Sequence, residues 1–160
     1  METNRPQFIV VHHTERNNDF PLFVRWRHKY LRGWDDIGYH YLIGNSRPFT
    51  RDGKIYSGRL ESVPGAHARG YNFNSIGICL IGNFNKNVPS EKQMNALVSL
   101  IKQRMAFYGI PVENILGHEE LPGAKKSCPG RNIDMSEVRL SISQNLEFVF
   151  EKKRGLCLVG

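Results

Sequence analysis

Two periodicities of apolar and polar residues divide this chain. Phe8-Ile9-Val10-Val11 runs into His12-His13 with no polar interruption, the pattern of a short strand covered on both faces. Asn17, Asn18 and Asp19 break it, and Pro21 suits the first turn of a helix whose apolar positions are Leu22, Val24, Trp26, Tyr30 and Leu31. Gly33 ends that helix, and Tyr39-His-Tyr-Leu-Ile-Gly returns to β-formers. Asp52-Gly53 signals a hairpin turn before Lys54-Ile-Tyr-Ser. Residues 62–75 are rich in turn formers and predict an irregular loop, and Ile76-Gly-Ile-Cys-Leu-Ile predicts a central strand with Cys79 as a small buried hydrophobe. Ser90 with Gln93 three positions on predicts a capped helix whose one face is Met94, Leu97, Val98, Ile101, Met105 and Tyr108. Gly109 and Pro111 stop it, and Asn114-Ile-Leu predicts a short strand. Beyond, Asp134 or Ser136 opens a last predicted helix, about 134–152, with Val138, Leu140, Ile142, Leu146 and Phe150 on one side. Strands alternating with helices imply an α/β layer fold, a central sheet flanked by about three helices, in a single domain over residues 1–160.

Composition narrows the picture. A chain of 160 residues, 40% hydrophobic and 23% charged, fits one soluble globular domain with one sizeable core. No stretch approaches the roughly 20 apolar residues of a membrane span, so no membrane contact is expected. Met1-Glu-Thr-Asn-Arg-Pro has neither the basic start nor the apolar run of a secretory signal. Three widely spaced cysteines, Cys79, Cys128 and Cys157, read as reduced thiols. The net charge of +7 points to an anionic partner such as a cell-wall polymer, while basic and aromatic residues lack the interleaving of a single-strand nucleic-acid binder.

Residues 116–130 carry the candidate chemistry. His118 stands ten positions before Cys128, Lys126 two before it, and Gly117, Pro122, Gly123, Pro129 and Gly130 make the run a shaped loop. Imidazole and thiolate are strong zinc ligands, but two donors do not complete a site. His12 and His13 end the first strand, where adjacent residues point to opposite faces, so one of the pair can face a given site. His12 meeting the His118–Cys128 loop at one end of the sheet makes three ligands and leaves a fourth position open. Glu119 and Glu120 read as surface charges of the loop, the alternative being a general base or a support for a ligand.

Val11-His12-His13-Thr14, Gly38-Tyr39-His40, Gly65-Ala-His67-Ala, Asn74-Ser-Ile-Gly-Ile-Cys-Leu-Ile-Gly and Gly117-His118…Lys126-Ser-Cys128-Pro-Gly resemble, in order, the motifs of the type-2 N-acetylmuramoyl-L-alanine amidases, which include phage endolysins and animal peptidoglycan recognition proteins. They span about residues 8–131. The resemblance implies a mixed central sheet and one catalytic zinc held by His12, His118 and Cys128. It implies catalytic roles for Tyr39 and Lys126 and a substrate groove lined by His67 and Asn74. It implies hydrolysis of the amide between N-acetylmuramic acid and L-alanine, in peptidoglycan or muropeptides, by a protein made in the cytoplasm without a signal and acting on the wall once released or delivered. The alternatives are a non-catalytic recognition module, a cytoplasmic muropeptide-recycling amidase, or a basic surface that docks a protein partner.

Overall fold

The computed structural model describes residues 3–124, 127–151 and 155–160, and of residues 150 and 151 the backbone only. Strand β1 (Phe8–His13) and strand β4 (Ser75–Leu80) form the centre of a five-stranded sheet. They pair in parallel from Phe8 opposite Ser75 to His13 opposite Leu80. Both are buried on both faces, which explains why neither alternates. β5 (Ile115–Gly117) flanks β1 in parallel, β2 (Tyr41–Ile43) flanks β4 in parallel, and β3 (Ile55–Ser57) closes the edge antiparallel to β2, giving the order β3-β2-β4-β1-β5. The sheet is mixed, as expected. The Asp52-Gly53 turn sits just before β3, closed by Lys54 N–H donating to the Arg51 carbonyl at 3.0 Å, and Gly53 takes φ +72°.

The two sheet faces have different partners. Ile9, Val11, Ile76, Ile78 and Leu80 pack with Met94, Leu97, Val98 and Ile101 of α2 (Glu91–Tyr108) and with Val138 of α3 (Met135–Gln144). The predicted capping box is present: the Ser90 hydroxyl accepts from Gln93 N–H at 3.0 Å, and Ser90 N–H donates to Gln93 Oε1 at 3.4 Å. The opposite face carries Leu42 against Val24, Ile37 and Ile81, and Val10 against Ala68 and Leu121. Over it lie α1 (Pro21–Trp26), which continues as a π-helical turn over Arg27–Leu31, and the loops after β3 and β5.

The helix predicted over about 134–152 is corrected. Asn145 adopts a left-handed conformation, φ 55°, and its N–H returns to the Ser141 carbonyl, which ends α3 at Gln144. Glu147-Phe-Val-Phe-Glu, a run of β-formers, is instead β6 (Glu147–Glu151), paired antiparallel with β7 (Gly155–Val159). Asn95 on α2 holds this hairpin: its Nδ2 donates to the Phe148 carbonyl at 2.9 Å and its Oδ1 accepts from Phe148 N–H at 2.8 Å. Phe148 is fully enclosed, and Leu156 and Leu158 pack on the main core, so the apolar tail docks.

Candidate metal centre

Alternation along β1 sends its two terminal histidines apart. His13 joins the core side, where it is buried, stacks on Phe84 and accepts from Phe84 N–H through Nδ1 at 3.2 Å. His12 emerges on the other face, 2% exposed, at the C-terminal end of the strand. Beside it β5 ends at Gly117 and passes directly into His118, the start of a 3-10 turn. The turn is fixed by Glu120, whose Oε2 accepts from Gly117 N–H at 2.7 Å and whose carboxylate meets Arg139 of α3 at 2.9 and 3.0 Å. Burial works against its charge, but Arg139 and Gly117 N–H hold the Glu120 carboxyl below the usual range. Glu120 is therefore a structural clamp, and both it and Glu119 are exposed at the surface as expected.

The loop returns so that Cys128 O accepts from Glu119 N–H at 2.7 Å, and the Ser127 hydroxyl meets Asn85 Oδ1 at 2.9 Å. Gly117 has to lack a side chain here, because a Cβ would lie 2.9 Å from Pro129 Cδ. The thiol of Cys128 comes to 3.6 Å from His12 Nδ1. His12, His118 and Cys128 each direct one donor atom into a space where all three lie within 4.8 Å of one another. No other such group of histidine, cysteine and carboxylate side chains occurs among the described residues. A tetrahedral zinc, bonded to sulfur at about 2.3 Å and to imidazole nitrogen at about 2.0–2.1 Å, sets those two atoms about 3.6 Å apart, so the donor set fits that ion.

Behind His12 runs a chain of contacts that local sequence did not reveal. His12 Nε2 lies 3.0 Å from His67 Nδ1, His67 Nε2 lies 3.4 Å from Ser75 Oγ, and the Ser75 hydroxyl donates to the Tyr71 carbonyl at 2.6 Å. With the lone pair of His12 Nδ1 turned to the metal position, one proton arrangement satisfies every member: His12 Nε2–H donates to His67, and His67 Nε2–H donates to Ser75. His67 reaches this position because Gly77 and Gly65 leave room for it; a Cβ on either would fall 2.6 or 2.4 Å from its Cδ2. Asn72 Oδ1 fixes the same loop by accepting from His67 N–H at 2.9 Å and Ala68 N–H at 3.0 Å. Burial, followed by repulsion from the other imidazoles, pushes the pKa values of both His12 and His67 well below 6.5, which keeps both rings neutral.

The site opens into a cleft of about 130 Å³ bordered by Arg27, His28, Arg32, Trp34, Tyr39 and Ala66 as well as the donors. A larger depression of about 220 Å³, between Asn17, Asn45 and Gln93, includes no histidine or cysteine. Tyr39 lies with its ring centroid 5.2 Å from that of His12. Burial, then the neighbouring sulfurs of Cys79 and Cys128, raises its pKa well above 10, so its hydroxyl stays a donor. Cys79 itself is fully buried, and burial raises its pKa, in keeping with an inert core thiol. His28 is buried and accepts from Gly38 N–H at 3.0 Å, and burial together with Arg32 and Arg27 lowers its pKa to about 4. Arg27 is tied to buried Asp19 by two hydrogen bonds of 2.9 and 2.8 Å.

Of the residues singled out from sequence, His12, His118, Cys128, Tyr39 and His67 converge on this cleft. Asn74 does not. It stands at the opposite, N-terminal end of β4, where its carbonyl accepts from Gln7 N–H at 2.7 Å and Phe8 N–H at 3.1 Å. Lys126 lies outside the described residues. Ser75, Asn72 and Gly77 were missed as site residues; the glycine inside an otherwise β-branched strand was the one available sign of a close approach.

Comparison with known proteins agrees with this fold. Over 112 residues the chain is 40% identical to the endolysin of Escherichia phage T7, covering 66% of each protein. The structure of N-acetylmuramoyl-L-alanine amidase LysC from Clostridium intestinale URNW superposes with a TM-score of 0.79 at 36% identity, covering 88% of this chain and 87% of that one. The structure of tracheal cytotoxin bound to the ectodomain complex of peptidoglycan recognition proteins LCa and LCx matches with a TM-score of 0.70 at 29% identity, covering 82% and 81%. A sequence profile described as N-acetylmuramoyl-L-alanine amidase matches residues 2–131, and the chain belongs to that family.

Proposed function

We propose that this protein is a zinc-dependent amidase that hydrolyses the bond between N-acetylmuramic acid and L-alanine in peptidoglycan or its fragments. The observation that carries the reading is the convergence of His12, His118 and Cys128 donor atoms at the floor of an open cleft. Three protein ligands with a free approach are the arrangement of a catalytic rather than a structural zinc site. His12, His118 and Cys128 would hold the zinc, which would supply a Lewis acid for an amide carbonyl and hydroxide near neutral pH.

The chain's own residues do the rest. His67 and Ser75 lock the His12 ring in the tautomer and orientation that present Nδ1. Tyr39 keeps its proton and borders the cleft beside His12, and it is assigned the donor to the carbonyl oxygen as negative charge builds on it. Lys126 is assigned the second positive contact to that oxygen on the strength of its place two residues before Cys128. Arg27 and Arg32 border the same cleft and favour an anionic substrate. A recognition module that binds without cutting is the second reading; the presence of Cys128 as third donor favours hydrolysis.

The test is incubation with purified sacculi and with soluble muropeptides, with and without a chelator, and mass spectrometry of the products. The expected outcome is new L-alanine amino termini and intact glycan strands, abolished by the chelator and restored by zinc. Cys128→Ser should lose both metal and activity. Full activity in the metal-stripped protein, or cleavage between sugars, would overturn the assignment.

A further inference from the structure

The first helix presents a ladder of aromatic rings, none of which lines the cleft. Phe49 packs on Phe20 at 5.2 Å between centroids, Phe20 on Phe23 at 5.8 Å, Phe23 on Trp26 at 5.7 Å with planes 7° apart, and Trp26 on Tyr30 at 6.0 Å. Phe23, Trp26 and Tyr30 recur at three and four residues, so they form one stripe, whereas Val24 and His28 turn inward. The stripe is open to solvent: Tyr30 is 71% and Phe49 82% exposed, and Leu22 and Leu31 extend it with aliphatic surface. A continuous apolar patch of this extent on a folded surface marks a contact site. Phe49 adds a second sign, because it holds φ +71°, a region that L side chains avoid, and its ring rests on Phe20 rather than in the core.

Charge indicates what covers it. Arg25 is tied to Asp36 and Arg27 to Asp19, but Lys29 and Arg32 of the helix, with Arg47 and Arg51 on either side of Phe49, leave an excess of positive charge along the ladder. Docking a second copy through this face would set Lys29, Arg47 and Arg51 of one molecule against those of the other. Saccharide binding asks for free amide or carboxylate partners around the rings, and the carboxylates beside this helix, Asp19 and Asp36, are already tied to Arg27 and Arg25. Phenylalanine, tryptophan, tyrosine and leucine with basic flanks are the composition of an element that lies in the headgroup region of an anionic bilayer.

We propose that the Phe49-Phe20-Phe23-Trp26-Tyr30 ladder docks the protein on the surface of an anionic lipid bilayer, lying on it without crossing it. The absence of a spanning segment, which led to no membrane contact being expected from sequence, concerns crossing alone; among the described residues no helix is long and apolar enough to cross. This inference is independent of the amidase reading.

The experiment is cosedimentation of the full chain with vesicles of phosphatidylcholine alone and of phosphatidylcholine mixed with phosphatidylglycerol, across a salt series. Binding is expected to the mixed vesicles, falling with salt. Trp26→Ser and Phe49→Gly should each weaken it about tenfold or more, the scale of withdrawing one large apolar side chain from the contact. Lys29→Glu should also weaken it, and all three variants should hydrolyse soluble muropeptides like the parent. Phe49→Gly removes the backbone strain, so it should melt no lower than the parent, which separates lost docking from lost folding. The proposal is overturned by no binding to mixed vesicles, or by binding that Trp26→Ser and Phe49→Gly leave unchanged. A dimer in sedimentation velocity that Trp26→Ser dissolves, or lipid-free sacculi retained only by the parent, would overturn it too by assigning the stripe to a second copy or to glycan.

Discussion

Gly77→Ala is a one-methyl test of how the metal centre is held. The new Cβ would sit 2.6 Å from His67 Cδ2 and 2.7 Å from its Cγ, about 1 Å inside ordinary carbon contact. The methyl cannot retreat, because Gly77 is in the buried middle of β4, with His40 Nδ1 accepting from its N–H at 2.9 Å. The imidazole has to move instead, and the 3.0 Å contact with His12 Nε2 is what it gives up. Loss of such a partner behind a metal-bound histidine lowers metal affinity by about 10- to 100-fold, or roughly 1.4 to 2.7 kcal/mol. Overpacking costs stability separately, about 1 to 3 kcal/mol. Zinc affinity from competition with a chromophoric chelator, with the melting temperature of the metal-free protein, reads the two effects apart. His67→Ala should lose comparable affinity without the clash, and the double variant should bind zinc no worse than His67→Ala alone. Unchanged zinc affinity in Gly77→Ala, or full additivity in the double variant, would refute the claim that His67 is the link.

Three further outcomes follow from the geometry. Tyr39→Phe should keep its zinc and lose on the order of 100- to 1000-fold in kcat, measured on a soluble muropeptide, because it removes a donor and leaves the ring. His28 is held to a pKa of about 4 against 6.5 when unfolded, so its contribution to stability is full above about pH 6.5 and is lost as pH falls toward 4, where the unfolded chain binds the extra proton; acid melting curves of metal-free His28→Asn should show a shallower fall across that window than the parent. Asn95→Ala should cost about 1 to 3 kcal/mol in urea unfolding, since it leaves both the N–H and the carbonyl of Phe148 without their partner.

Legibility differed between local and long-range features. The apolar runs of β1 and β4 and the helical period of α2 were readable because each is set by neighbours along the chain. The separation of His12 from His13 followed from strand alternation alone. The end of α3 was not readable, because Val138, Ile142, Leu146 and Phe150 keep a helical spacing past the point where Asn145 turns left-handed, and the β-hairpin beyond depends on Asn95, about 50 residues earlier. His67 joins His12 across 55 residues, a contact that only the β1–β4 register and the bare Cα of Gly77 create. Asn74 misled because it belongs to the same motif as the site-facing strand but precedes it, at the far end.

The bond from Glu119 N–H to Cys128 O joins the two ends of the segment that carries the second and third donors. With Ser127 also moored to Asn85, the base of that segment is fixed independently of how many residues arch above it. Doubling the length of a flexible arch costs only about 0.6 kcal/mol in closure entropy. Extra residues grafted near Gly123 should therefore leave the positions of His118 and Cys128, and with them zinc affinity, close to those of the parent.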